Sequence, residues 1–202
     1  MRDMPAPRKN ESAAGGAMQI FAWPYRAILA FLIWTGVWPW QLTLASLVLN
    51  VLCGWRIVEG DWLVAGLLLL AAGLADVFDG SVARHRGIAG RSGAFLDSVL
   101  DRVSDMILFS SVFWVLASRG ETLQAVLALV GLVLSLSVSH IRAEAEAVGV
   151  QLTEGFFQRL ERFLALMVGL LIPGMMPVVL VALAVLGGVT VAQRSFAALT
   201  RA

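Results

Sequence analysis

Residues 76–101 read DVFDGSVARHRGIAGRSGAFLDSVLD, and apolar sequence flanks the stretch on both sides. It holds Asp76, Asp79, Asp97 and Asp101, and Asp105 follows one helical turn later. In lipid, each isolated charge costs ~2.5–3.5 kcal/mol on insertion scales, so five uncompensated carboxylates need a physical reason. Asp76, Asp79, Gly80, Ala83 and Arg84 lie at i, i+3, i+4, i+7 and i+8, which puts all five on one helical face. Gly93, Asp97, Asp101 and Asp105 recur every four residues and form a second stripe. The short connection 85–92 makes the two helices antiparallel neighbours, so the carboxylate faces meet. Like charges at that spacing repel unless cations sit between them. Clustered carboxylate oxygens favour hard ions, Mg²⁺ first and Mn²⁺ second, over zinc. Four or more carboxylates accommodate two ions ~3.5–4 Å apart. The alternative is a set of helix-end caps and interfacial ion pairs, with Arg84 and Arg102 as partners. The regular spacing favours the metal site.

The surrounding sequence agrees with a membrane setting. Of 202 residues, 59% are hydrophobic and 14% charged, with a mean hydropathy of +0.83. Apolar blocks run over 42–58, 61–80, 93–118, 121–147, 156–172 and 175–193, close to the ~20 residues a spanning helix needs. The expectation is therefore an all-α integral membrane protein, a bundle of six transmembrane helices. Residues 20–38 are also apolar. Pro24 and Arg26 interrupt them, however, and Phe21, Trp23, Tyr25, Trp34, Trp38 and Trp40 suit the membrane–water boundary, so an N-terminal interfacial helix is expected there. Residues 1–18 are polar and rich in Gly, Ala and Pro, without an apolar segment directly behind the charges. They read as a disordered cytosolic tail rather than a signal peptide, leaving 19–202 as one membrane-embedded domain.

Charge gives the orientation. With six spans, 13 of the 15 basic residues fall on the side of the two termini, and only Arg56 and Arg119 fall on the other. By the positive-inside rule both termini are cytosolic, in a bacterial or archaeal inner or plasma membrane. A net charge of +1, without a basic stripe, excludes nucleic acid as a partner. Cys53 is the sole cysteine and sits in an apolar run, so it reads as lipid-facing or packing filler, with no disulfide or metal role.

Written as D-x2-D-G-x2-A-R-x8-G-x3-D-x3-D, the opening stretch resembles the signature of the CDP-alcohol phosphotransferase (CDP-alcohol phosphatidyltransferase) family at every defined position. The likeness extends over roughly residues 39–194, including Leu42-Thr43, Ser139 to Glu146 and Thr190 to Arg194. Pro39-Trp40 stands where many relatives have Pro-Asn or Pro-Asp, with Gln41 as a nearby polar substitute. The resemblance implies an enzyme of phospholipid biosynthesis, commonly a homodimer, with six spans and an active site open to the cytosolic leaflet. It would move a phosphatidyl-type group from a CDP-alcohol such as CDP-diacylglycerol to the hydroxyl of a small polar alcohol, releasing CMP. It further implies that Asp76, Asp79 and Asp97 ligate Mg²⁺ or Mn²⁺, that Asp101 is both a ligand and the general base, and that two ions are held. Gly80, Ala83 and Gly93 would accept the cytidine and Arg84 the diphosphate, with Asp76 also on the nucleotide side.

The segment Ser139-His140-Ile141-Arg142-Ala143-Glu144-Ala145-Glu146, with Glu161-Arg162 downstream, is similar to the branch that makes phosphatidylinositol phosphate from inositol phosphate. That branch typically has a second basic residue where Glu144 stands. Ser139, Arg142, Arg159 and Arg194 are the candidate acceptor residues, and His140 reads as an interfacial polar side chain rather than a metal ligand. Inositol phosphate is the best-fitting acceptor, and glycerol phosphate, inositol or another polyol stay open. The rival from another class, a proton or cation transporter, needs acids spread along a path across the membrane. Here they cluster on two adjacent helices near the cytosolic end, which suits a site better.

Overall fold

The computed structural model describes residues 14–150 and 158–201, with side-chain surroundings from residue 23 onward. All regular structure among them is helical: α1 (Ala14–Trp34), α2 (Pro39–Glu59), α3 (Trp62–His85), α4 (Arg91–Ser118), α5 (Thr122–Ala147), α6 (Arg159–Leu171) and α7 (Met176–Arg201). The expected tail falls mostly outside the described residues, and α1 begins at Ala14, inside its anticipated limit of residue 18.

Local sequence sets the ends. Pro39 opens α2, where a missing N–H costs nothing, and the Gln41 side chain accepts from the Trp38 backbone N–H at 2.8 Å. Gly60 stops α2 in the left-handed region (φ 82°), where its N–H reaches the Ile57 carbonyl at 2.9 Å. Asp61 then caps α3 by accepting from the Val64 N–H at 3.4 Å. The residue pair Gly60-Asp61 thus turns the chain back at once, and α2 and α3 pack side by side along their lengths. Gln158 and Glu161 start α6 with a 2.9 Å bond from the Gln158 N–H to Glu161 Oε2.

The core lies between α2, α3, α4, α5, α6 and α7 and centres on Cys53, Ile57, Leu69, Phe109, Leu180 and Leu183, all at most 2% exposed. Cys53 is fully buried and donates to the Ala65 carbonyl at 3.1 Å, which makes it packing filler and excludes the lipid-facing alternative. Glycines bring the helices together. A Cβ on Gly54 would meet Ser111 and Ile107 of α4 at under 3 Å, and one on Gly131 would meet the Phe109 ring at 2.8 Å. Without a hydrophobic drive between helices in lipid, such close approach supplies the packing energy.

Four helices, α2, α3, α5 and α7, are long and apolar enough to cross a membrane, and at most a third of each apolar window is buried inside the protein. The remaining apolar surface faces outward, the arrangement of a bundle whose solvent is lipid. Helix α4 is long enough, but the row Arg91, Asp97, Asp101, Arg102 and Asp105 breaks its apolar run. Helix α6 spans 13 described residues, which is ~20 Å of rise and short of the hydrocarbon thickness. The anticipated blocks therefore match helices, while two of them fall below the simple criterion for a span. The physical reason is that the site itself is carved into α4 and α6.

Candidate active site

Asp76 sits in the second half of α3, and Asp97 and Asp101 follow one turn apart in the first half of α4. The side-by-side pairing of these two helices expected from the sequence is not what the structure shows: α4 packs along α2 and α5, and α3 along α2 and α6, so the carboxylates of α3 and α4 meet across the site rather than along a shared helix seam. One carboxylate oxygen from each of Asp76, Asp97 and Asp101 lies within 4.8 Å of the others. Three hard, anionic donors at that spacing, from two helices, fit a divalent cation of the Mg²⁺ or Mn²⁺ type. Arg159, the first residue of α6, reaches into the same cluster. Its Nη2 and Nη1 meet Asp76 Oδ1 and Oδ2, each at 3.3 Å, and Nη2 also contacts Asp101 Oδ1. The fork grips one carboxylate with both nitrogens and touches a second, a geometry that lysine does not offer.

Asp79, 8% exposed, faces differently. Its Oδ2 accepts a 2.7 Å bond from the Thr43 hydroxyl of α2, and it is outside the triad of mutually close carboxylates. On this side a cavity of about 400 Å³ is bounded by Trp38, Pro39 and Trp40 at the start of α2, by Asp79, Gly80, Ala83 and Arg84 of α3, and by Gly93 and Asp97 of α4. No heavy atom lies within 4 Å of a Cβ built on Gly93, and Arg84 Nη1 comes within 3.2 Å of one built on Gly80, so small residues keep this wall open to a flat group. Arg84 is steadied from behind: its Nη2 donates to Ser81 Oγ at 3.1 Å, and Ser81 in turn accepts from the Tyr25 hydroxyl of α1 at 2.7 Å. Tyr25 stacks on Phe78 with ring centroids 5.3 Å apart.

A second cavity of about 410 Å³ opens on the opposite side of Asp97. It is lined by Asp97, Asp101 and Asp105 of α4, by Ser139 and Arg142 of α5, by Arg159 and Arg162 of α6, and by Arg194 of α7. Arg102 also lines it, and donates to the Ser98 carbonyl at 2.8 Å and to the Ser139 carbonyl at 3.4 Å. Arg194 is 4% exposed and donates to the Val138 carbonyl at 3.0 Å. Five arginines and four acids, Asp97, Asp101, Asp105 and Glu146, line this cavity, so the wall presents several guanidinium forks to an anion with a small excess of positive charge. Asp97 lines both cavities, so they meet at the triad.

The chain matches the family model described as CDP-alcohol phosphatidyltransferase over residues 36–192. It belongs to that family. Among curated relatives it is similar to the archaetidylinositol phosphate synthase of Methanothermobacter thermautotrophicus, 36% identical over 141 residues that cover 67% of this chain and 70% of that one. It is also similar to the phosphatidylinositol phosphate synthase of Cutibacterium acnes, 30% identical over 188 residues, 85% of this chain and 88% of that one. Among solved structures it resembles the Mycobacterium tuberculosis phosphatidylinositol phosphate synthase with CDP-DAG bound. There the TM-score is 0.79 at 28% identity, covering 86% of this chain and 92% of that chain. The same mycobacterial enzyme with manganese and citrate gives a TM-score of 0.78 over 87% and 89% of the two chains.

This CDP-alcohol phosphatidyltransferase is thus a metal-dependent integral membrane enzyme, which transfers a phosphatidyl-type group from a CDP-alcohol to the hydroxyl of a small polar alcohol. Its fold brings together the residues singled out in the sequence. Asp76, Asp97 and Asp101 converge, Gly80, Ala83, Arg84 and Gly93 share one cavity, and Ser139, Arg142, Arg159 and Arg194 share the other. The compensating partners differ from the sequence-based alternative. Arg84 and Arg102 bond to Ser81 and Ser98, while the aspartates pair with Arg159 and Arg162 of α6. His140 stays outside, facing Glu144 at 3.8 Å on an exposed surface. Thr43, Tyr25 and Arg162 were not assigned site roles from the sequence. A hydroxyl or an arginine at a helix end carries no periodic signal, and the pairs Leu42-Thr43 and Glu161-Arg162, noted for the family likeness, were the hints.

Proposed function

We propose that this transferase joins the phosphatidyl group of CDP-diacylglycerol to inositol phosphate. The observation that carries the reading is the arginine-lined cavity that adjoins the carboxylate triad at Asp97. A phosphorylated acceptor would place its dianion among Arg142, Arg159, Arg162 and Arg194, beside Ser139, with its attacking hydroxyl toward Asp101. The printed names of the relatives point to the same class of acceptor. Glu144, the acidic departure from that branch, is absent from the cavity lining and turns toward His140, so it leaves the anion pocket untouched.

On the donor side, Gly80, Ala83 and Gly93 receive the cytidine and Arg84 the diphosphate. Asp76, Asp79, Asp97 and Asp101 hold two divalent ions, whose charge offsets that of the diphosphate and makes CMP a competent leaving group. Asp101, which lines the arginine-rich cavity and belongs to the triad where the two cavities meet, takes the proton from the acceptor hydroxyl. Thr43 orients Asp79, and Arg159 holds Asp76 and Asp101 in register. The tandem of cavities favours direct in-line transfer, because positioning supplies most of the rate.

The transferase is read as six spans, α2 to α7, with α1 lying in the interface, both termini and the active site on the cytosolic side, and residues 1–18 as a tail ahead of one domain. The 13 to 2 division of basic residues supports this orientation. A homodimer is the expected assembly.

The test is CMP release by purified protein in lipid, with CDP-diacylglycerol, Mn²⁺ or Mg²⁺, and inositol phosphate, glycerol phosphate or inositol offered singly. Inositol phosphate should support release at the lowest concentration. Equal use of inositol would overturn the phosphorylated-acceptor reading, and release with glycerol phosphate alone would replace it.

A further inference from the structure

Asp105 belongs to the carboxylate stripe of α4 but has no share in the chemistry above. It follows Asp101 by one turn, yet lies outside the group of mutually close carboxylates formed by Asp76, Asp97 and Asp101. Instead its Oδ2 collects two donors from two other helices, the Ser135 hydroxyl of α5 and Arg162 Nη2 of α6, the latter at 3.3 Å. Arg162 is 5% exposed and lines the arginine-rich cavity, and its buried Nε has no hydrogen-bond partner among the described residues.

We infer that Asp105 is a positioning residue for the acceptor: with Ser135 it holds the Arg162 guanidinium in one orientation at the cavity wall. A buried guanidinium in a membrane bundle needs a counter-charge, and without one it turns to the nearest carboxylate. The nearest alternative on α4 is Asp101, one turn away. By binding Nη2, Asp105 keeps Arg162 off the triad and leaves the rest of its planar fork available to an anion in the cavity. Ser135 fixes the same oxygen from the opposite helix, so α4, α5 and α6 share a single anchor point. The stripe thus divides by role, with its two earlier members turned to the triad and its last turned to the acceptor pocket.

This inference rests on the reading of the second cavity as the acceptor's anion pocket. The test uses the full-length enzyme in lipid, CDP-diacylglycerol and Mn²⁺, with inositol phosphate and inositol as a matched acceptor pair. For Asp105→Asn, the KM for inositol phosphate should rise on the order of tenfold, as for loss of one charge-assisted hydrogen bond. The KM for the donor and the half-saturating Mn²⁺ concentration should stay at wild-type values, and Ser135→Ala should move the acceptor KM the same way by less. On an Arg162→Lys background, Asp105→Asn should add little more. A shift in half-saturating Mn²⁺ would make Asp105 a further metal ligand and overturn the assignment. So would an unchanged acceptor KM in a wild type that prefers inositol phosphate. If Asp105→Asn does not fold, an unchanged acceptor KM in Ser135→Ala overturns it instead. Equal use of both acceptors by the wild type would remove the pocket reading itself and this inference with it, a failure visible before any variant is made.

Discussion

Thr43 of α2 donates a 2.7 Å hydrogen bond to Oδ2 of Asp79 on α3, across 36 residues of sequence. The bond turns Asp79 toward the cavity bounded by Trp38 and Gly80, and away from the close triad of Asp76, Asp97 and Asp101. Thr43→Val keeps the shape and removes the donor. A hydrogen bond to a charged group is worth ~1.5–3 kcal/mol, so the donor-side KM should rise about tenfold or more. Steady-state CMP release against CDP-diacylglycerol concentration measures this, and an equal rise in the acceptor KM would contradict the assignment of Asp79 to the donor side.

Asp101 lines the arginine-rich cavity and contributes to the triad. Asp101→Asn keeps the size of the side chain but cannot accept the hydroxyl proton as a carboxylate does. Loss of a positioned general base costs ~10²–10⁴-fold, so kcat should fall at least by that range, with donor binding largely retained. Equilibrium binding of CDP-diacylglycerol and CMP release, measured side by side, separate the two effects. Normal turnover would end the base role.

Arg142 Nε pairs with Glu146 Oε1 at 2.8 Å at the rim of the same cavity. Both side chains are more than half exposed, so the pair contributes little to stability. Arg142→Ala should leave the thermal midpoint nearly unchanged and raise the acceptor KM far more than the donor KM. Equal rises would make Arg142 a structural residue.

Chelation should stop turnover, because clustered carboxylates bind substrates bearing phosphates poorly without a bridging cation. Treatment with EDTA is expected to abolish CMP release, and Mg²⁺ or Mn²⁺ to restore it. Restoration by Na⁺ alone would count against the divalent site.

Topology is testable with the single native cysteine removed. Cys53 is buried, so Cys53→Ala provides a quiet background for Thr122→Cys, exposed where the α4–α5 connection enters α5, and Thr200→Cys near the end of α7. In right-side-out vesicles a membrane-impermeant maleimide should label the first and spare the second. The reverse pattern would invert the proposed orientation.

Much of this protein is legible in one dimension. The period-four stripe of α4, the i, i+3, i+4 face of α3 and the apolar blocks state which residues share a face, because helix geometry is local and repeats every 3.6 residues. The spacing of Asp76, Asp79, Gly80, Ala83, Arg84, Gly93, Asp97 and Asp101 pointed to a divalent-metal site, and its resemblance to the family signature implied the reaction class. Periodicity names a face but not its neighbour. That Arg159 meets Asp76 across 83 residues, that Arg162 meets Asp105 across 57, and that Asp79 turns to Thr43 rather than to the other three carboxylates all follow from how six helices pack. Close packing of Gly66 and Gly73 of α3 on Leu171 and Phe163 of α6 fixes the first of these crossings, and the crossing sets which side chains meet. The family signature was therefore legible in local spacing, while the triad, the bond between Thr43 and Asp79 and the arginine-lined cavity arose only where helices distant in sequence came into contact.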